Sequence, residues 1–424
     1  MRSAFVLFFF LVGCSARFIK KEIKETENQL HEHVGFYLYD LAKKKVKVDY
    51  NGSKYFTPAS NTKIFTFYTS LRLLSDSVSS LKYIKRGDSL IFQGMGDPSF
   101  FYKNVFDNER AFRFLKEHQG KLFFSSDNFQ TQSFGAGWAW DDYNDYYSAE
   151  RSPFPVYGNL ISIRKYVEEV LIFRPALFEY DFVKSDAEHP AEEIIRDYNS
   201  NRLVYFNGKK KSKEWTIPFL SSDSLTLRLL SDTLHREVNQ ILWPKLDSAK
   251  ILKSIPTDSL YRVMMQDSDN FIAEQLLLQC AAIVSDTLKP EIAIKYSLEN
   301  FLSDLPDEPQ WVDGSGLSRY NLFTPRSIVS LWRKTYETVP QDRLFKLLAI
   351  GGMNGTLKNY YKSDVPFVFG KTGSLGNNHS LSGFLITRKG KIFIFSFMNN
   401  NFIVPGIEVR KRMEKIINRI REKY

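Results

Sequence analysis

Three short polar clusters contain the residues best suited to opening a carbonyl bond. Ser60 and Lys63 stand three apart in Ser60-Asn61-Thr62-Lys63, at the head of an apolar stretch. On a helix that spacing puts a hydroxyl and an amine on one face, a turn apart. A serine is a poor nucleophile unless a neighbouring base takes its proton. A lysine serves only when burial or another cation lowers its pKa, and the apolar residues after Lys63 supply burial. A helix start, with unpaired N–H groups, also favours negative charge developing on oxygen. The second cluster, Ser268-Asp269-Asn270, directly precedes an apolar run beginning at Phe271. The third, Lys371-Thr372-Gly373-Ser374, sets a lysine and hydroxyls around a glycine in a strand-like stretch. Singly, the three read as a helix cap with a snorkelling lysine, an N-cap and a strand end. The chemistry they could do together is acyl transfer through a serine ester.

Composition narrows the alternatives. The 424 residues are 43% hydrophobic and 25% charged, the proportions of a folded chain and enough for two or three domains. Two cysteines, Cys14 and Cys280, exclude a disulfide framework and a multi-cysteine metal site. The six histidines form no HExxH pair and there is no phosphate loop, so neither metal nor cofactor is expected. The net charge of +10 suits anionic surroundings without choosing among nucleic acid, membrane and wall polymer.

The elements that must position these residues follow from local pattern. Arg2 followed by an apolar run from Phe5 to Val12 reads as a secretory signal, too short to span a membrane. Residues 14–28 are polar and read as a tether with some helical content. Val34–Asp40 and Lys45–Tyr50 read as a hairpin. From Pro58 the pattern turns helical and apolar on nearly every side, so that helix is buried. Residues 81–235 mix short strand-like runs with turns and read as an inserted β-rich module. Helical patterns return from Ser222, with Phe271–Val284 buried. Val365–Gly373, Leu381–Thr387 and Ile392–Met398 read as strands, and a basic amphipathic helix follows Pro405.

In their order, S-x-x-K, S-D-N and K-T-G match the signature of penicillin-binding proteins and serine β-lactamases. Thr57-Pro58-Ala59-Ser60-Asn61-Thr62-Lys63 resembles the corresponding run of the D-alanyl-D-alanine carboxypeptidase/endopeptidase family, peptidase family S13. So do Asp267–Glu274, Asp313-Gly314-Ser315-Gly316-Leu317-Ser318-Arg319-Tyr320-Asn321, Gly94–Pro98, and Asp127 with Gly137–Asp142. Ser374 stands where threonine is frequent and keeps the hydroxyl. The separation of Ser60 from Ser268 is short for the family, so one inserted module is expected to be reduced. Leu11-Val12-Gly13-Cys14 resembles a lipobox, which implies a diacylated Cys14 after removal of residues 1–13.

The resemblance implies an α+β fold, a serine β-lactamase-like domain with an antiparallel sheet flanked by helices, built from 29–80 and 236–424. It implies hydrolysis of D-alanyl-D-alanine in peptidoglycan stem peptides, and reaction with β-lactams. Ser60 would be the nucleophile, Lys63 its base and Ser268 the proton relay to the leaving amine. Asn270 would orient Lys63 and substrate, and Lys371 would keep Lys63 neutral and attract substrate carboxylate, helped by Thr372. The N–H groups of Ser60 and Ser374, the latter after Gly373, would form the oxyanion hole. Arg319 and Asp127 would contact the peptide stem. The expected location is the periplasm, on the outer membrane through lipid on Cys14. Rival readings are a serine β-lactamase, for which no deacylating E-x-x-x-N glutamate stands in a convincing context, and a non-catalytic wall-binding lipoprotein, against which all the motif residues are present. A nucleic-acid partner is not expected in an exported chain without a recognisable motif.

Overall fold

Strand-like runs from opposite ends of the sequence pair with one another in the computed structural model, which describes residues 4–102, 105–166, 170–244 and 249–424. Six strands form one sheet: β1 (His33–Asp40), β2 (Lys45–Tyr50), β3 (Ala349–Ile350), β4 (Val368–Leu375), β5 (Asn378–Ile386) and β6 (Ile392–Asn400). Their order is β3-β4-β5-β6-β1-β2 and every neighbouring pair is antiparallel. Register is set by apolar partners such as Phe36 opposite Phe397 and Leu38 opposite Phe395, all buried. A one-residue slip would turn these side chains to the other face.

Helices cover both faces. Ile19 and Ile23 of Ala4–Leu30, with Ile416 and Ile420 of Gly406–Lys423, are fully buried in one cluster with Phe36, Phe395 and Phe397. Trp332, on the helix Pro325–Thr338, is fully buried, stacks edge-on against Phe384 and donates from Nε1 to Ser382 Oγ at 2.9 Å. That helix starts where Thr324 accepts the Ser327 N–H and Pro325 presets the first turn.

Two stretches differ from the sequence reading. Residues 14–28, expected as a tether, lie in the helix Ala4–Leu30, because Ile19, Ile23 and Leu30 recur on one face and are buried. Side chains are described from Ala16, so those of Cys14 and of the apolar run before it lie outside the description. The second difference is the division of the chain. One unit comprises the chain up to Thr69, Leu260–Asp269 and Ile294–Tyr424, and the other Ser70–Ser259 and Asn270–Ala293. Ser77–Arg86 pairs with both Ser89–Gly94 and Lys250–Pro256, which carries 70–80 and 236–259 into the second unit. The helix Asn270–Ser285 goes with them, since Leu278 and Ala282 pack on Met95 and Leu288.

The second unit holds a five-stranded mixed sheet, in the order 238–240, 122–125, 89–94, 77–86, 250–256, and two three-stranded sheets. Its core is aromatic: Phe92, Phe124 and Phe154 are buried with ring centroids 5.6 to 6.1 Å apart.

Candidate active site

Ser60 stands on the one-turn 3-10 helix Ala59–Thr62, immediately before the α-helix Lys63–Leu73. Ala59 has φ +48°, a left-handed conformation unusual for a residue with a Cβ. Such backbone costs on the order of 1–3 kcal/mol and persists only where its surroundings impose it. Here they do. Thr62 Oγ1 donates to Ala59 O at 2.9 Å, Asn61 Nδ2 donates to Lys371 O at 3.1 Å, and Ser382 Oγ donates to Asn61 Oδ1 at 2.5 Å. Gly316 backs the same turn so closely that a Cβ there would stand 2.0 Å from Ala59 O. Gly373 of β4 approaches from another side, where a Cβ would lie 2.5 Å from Pro58 O and 2.9 Å from Ser60 N.

Two amine–hydroxyl pairs result. Lys63, fully buried, donates from Nζ to Ser60 Oγ at 2.9 Å and to Ser315 O at 2.7 Å. Lys371, also fully buried, donates from Nζ to Ser268 Oγ and to Thr372 O, both at 2.8 Å. Burial, then the repulsion of Lys63, pushes the Lys371 amine well below the usual lysine range, against the opposing pull of Asp267. Ser268 has φ +66°, a second left-handed residue at a motif serine. The Ser315 carbonyl is held by the buried Asp313, whose carboxylate accepts from Gly316 N at 2.8 Å, Ser318 N at 2.7 Å and Asn321 Nδ2 at 2.8 Å. The D-G-S-G-L-S-R-x-N segment is thus a carboxylate-centred loop that presents one carbonyl to the Lys63 amine.

Beyond Lys371, β4 lines a cavity of about 220 Å³ with Thr372 and Ser374, completed by Thr356, Tyr360, His379 and Arg410. Thr372 Oγ1 donates to Thr356 Oγ1 at 2.7 Å, and Ser374 Oγ is 2.8 Å from His379 Nδ1. Burial, with the charges of Arg410 and Lys371, lowers the His379 imidazole to about 3, so it is neutral near pH 7. A neutral ring has one donor and one acceptor nitrogen, which fixes how the Ser374 hydroxyl can point. The sequence reading missed Thr356, His379 and Arg410. A signal for His379 was present: Gly376-Asn377 is a two-residue hairpin turn, and the register puts Ser374 opposite His379.

The structure therefore brings Ser60, Lys63, Ser268, Lys371, Thr372, Gly373 and Ser374 together in the first unit. Arg319 is exposed there, with Nη1 3.4 Å from Gly376 O, just past the end of β4. Asn270 and Asp127 belong to the second unit. Asn270 opens its helix and donates from Nδ2 to Tyr147 O at 3.0 Å, and exposed Asp127 accepts from Trp243 N at 2.6 Å. Among the described residues no cluster of three His, Cys, Asp or Glu is placed to hold a metal.

Residues 19–423 match the model of the D-Ala-D-Ala carboxypeptidase 3 (S13) family. The chain is 24% identical to the D-alanyl-D-alanine carboxypeptidase DacB of Haemophilus influenzae, over 92% of this chain and 90% of that protein. It is also 24% identical to penicillin-sensitive carboxypeptidase A of Dictyostelium discoideum, over 85% and 81% of the respective chains. The crystal structure of penicillin binding protein 4 (dacB) from Haemophilus influenzae superposes with a TM-score of 0.73 at 20% identity, covering 92% of this chain and 97% of that one.

Proposed function

Because the chain belongs to the D-Ala-D-Ala carboxypeptidase 3 (S13) family, we propose that it is a serine D-alanyl-D-alanine carboxypeptidase of peptidoglycan stem peptides. The observation that carries this reading is the fully buried Lys63 amine 2.9 Å from Ser60 Oγ. Ser60 Oγ attacks the carbonyl between the two D-alanines and passes its proton along that contact to Lys63. The tetrahedral oxyanion is met by the N–H groups of Ser60 and Ser374, where loss of one donor costs roughly 10²–10³ in rate. As the C–N bond breaks, the leaving amine takes a proton through Ser268, which the Lys371 amine holds in place. Water then cleaves the ester and frees the shortened peptide. Charge on Lys371 opposes charge on Lys63, which favours Lys63 as a base. Thr372 and Ser374 border the space for the substrate carboxylate, with Arg319, Asn270 and Asp127 assigned to substrate contact by their motif positions.

Penicillin would acylate the same serine and leave slowly. The chain is placed in the periplasm, held to the outer membrane by lipid on Cys14, on the strength of its lipobox-like Leu11–Cys14. Digestion of purified peptidoglycan tests the activity: wild type should release D-alanine, Ser60→Ala should not, and cleaved dimers would add endopeptidase action. Release of neither product by wild type would overturn the assignment. Cys14→Ser should move the protein from the membrane fraction to the soluble one, and an unchanged distribution would remove the anchor.

A further inference from the structure

The first unit has a face that the proposed chemistry does not use. The segments Ala16–Leu30 and Gly406–Lys423 together hold eleven Lys and Arg against six Glu, half of the chain's net charge of +10 in two helices. Five of those six acids are already engaged. Glu22 pairs with Arg419, Glu25 with Lys21 and Glu422 with Arg388, while Glu27 accepts from Val34 N and Tyr50, and Glu414 from Tyr361 N. Among the described residues Arg17, Lys20, Lys24, Arg412 and Lys415 form no ion pair, and all five are exposed. The charge of this face is therefore directed outward.

One aromatic side chain interrupts it. Phe18 is 40% exposed, with Lys423 Nζ 3.5 Å and the Arg419 guanidinium 5.7 Å from its ring centroid. An apolar ring with cations over it suits the boundary between lipid headgroups and acyl chains. At 1.5 Å per residue, Phe18 lies about 6 Å along the helix from Cys14. Lipid on that cysteine would bring Phe18 and its cations to the headgroup layer.

We propose that the two-helix face around Phe18, bounded by Arg17, Lys24, Arg412 and Lys415, docks on a bilayer containing anionic phospholipid. The membrane setting rests on the exported, anchored reading above, but the charged face acts whether or not Cys14 is acylated. Each cation near such a surface contributes about fivefold in partition, and the attraction falls as salt rises.

The test is partition of the full chain onto vesicles of phosphatidylcholine alone and with phosphatidylglycerol added. Binding should be at least about tenfold tighter with phosphatidylglycerol. Arg412→Glu with Lys415→Glu, and separately Arg17→Glu with Lys24→Glu, should erase that preference while penicillin acylation of each variant stays normal. Should a variant fail to fold, salt decides with the parent protein: high salt must abolish its preference for the anionic vesicles. Equal binding to both vesicles, charge-reversed variants that bind like the parent, or capture by purified wall polymer without capture by vesicles would each overturn the proposal. Loss of the anchor in Cys14→Ser lowers binding to both vesicle types alike, so failure of the anchor and failure of the face read differently.

Discussion

The first unit surrounds its serine with a connected set of buried polar groups, while the core of the second unit is filled by aromatic rings. Around Ser60, the fully buried Asn61, Lys63, Asp313, Ser315, Asn321, Lys371 and Ser382 sit in one polar lattice, each bonded to a named partner. In the second unit Phe92, Phe124 and Phe154 fill space, and buried Arg196 ties loops by donating to carbonyls such as Pro218 O at 2.8 Å. A polar lattice is expensive to leave incomplete, since each orphaned buried group costs about 1–3 kcal/mol. Few residues can therefore replace its members. Apolar volume is met by many combinations of side chains. The residues that carry the chemistry are therefore written in short, specific motifs, while the aromatic core of the second unit is not.

That contrast can be broken by substitution. The largest expected effect is Lys63→Met, which keeps the volume and removes the base. Acylation by penicillin should fall roughly 10²–10⁴-fold, and a loss under tenfold would mean another group takes the Ser60 proton. Next come two glycines, one in each unit. Gly373→Ala places a Cβ against Pro58 O and Ser60 N, and should slow acylation about 100-fold by displacing the nucleophile. Gly94→Ala meets Pro153 O at 2.2 Å, and should lower the melting temperature without slowing acylation by the folded fraction. Equal effects on rate would erase the distinction between the units.

A smaller effect separates two roles of Lys371. If it only anchors carboxylate, Lys371→Gln leaves acylation by a neutral ester, and its pH profile, unchanged. If it also opposes charge on Lys63, the profile moves to higher pH and the near-neutral rate drops about tenfold, one pKa unit. The account expects the second result. A further effect falls on stability in acid and not on rate. His379 titrates near 3 in the fold against 6.5 unfolded. Its contribution is whole above pH 6.5 and is lost as pH falls toward 3, by about 1.4 kcal/mol per pH unit. His379→Gln should flatten the acid limb of urea midpoints over that window, and an unaltered slope would remove the buried imidazole from the account.

Much of the first unit was legible because its signals are local. The strand-like runs within 34–50 and 365–398 and the apolar helix after Pro58 could be read from short windows, and the three motifs marked Ser60, Lys63, Ser268 and Lys371, which the fold brings together. The helical register of Ile19, Ile23 and Leu30 was equally local but was outweighed by the polar composition of 14–28. What composition hid was tertiary. The unit boundary at Thr69 depends on Lys250–Pro256 returning to pair with Ser77–Arg86, and no local pattern announces a partner so distant in sequence. Arg410 and Thr356 reach the cavity beside Ser374 from separate elements, so neither spacing nor periodicity marks them.

The central claim is that the lattice around the 3-10 turn makes one serine the nucleophile. Labelling the protein with a tagged penicillin, digesting it and mapping the modified peptide tests that claim most directly. The account predicts a single label on Ser60, absent from Ser60→Ala. Label on Ser268 or any other residue, or label that survives Ser60→Ala, would contradict it.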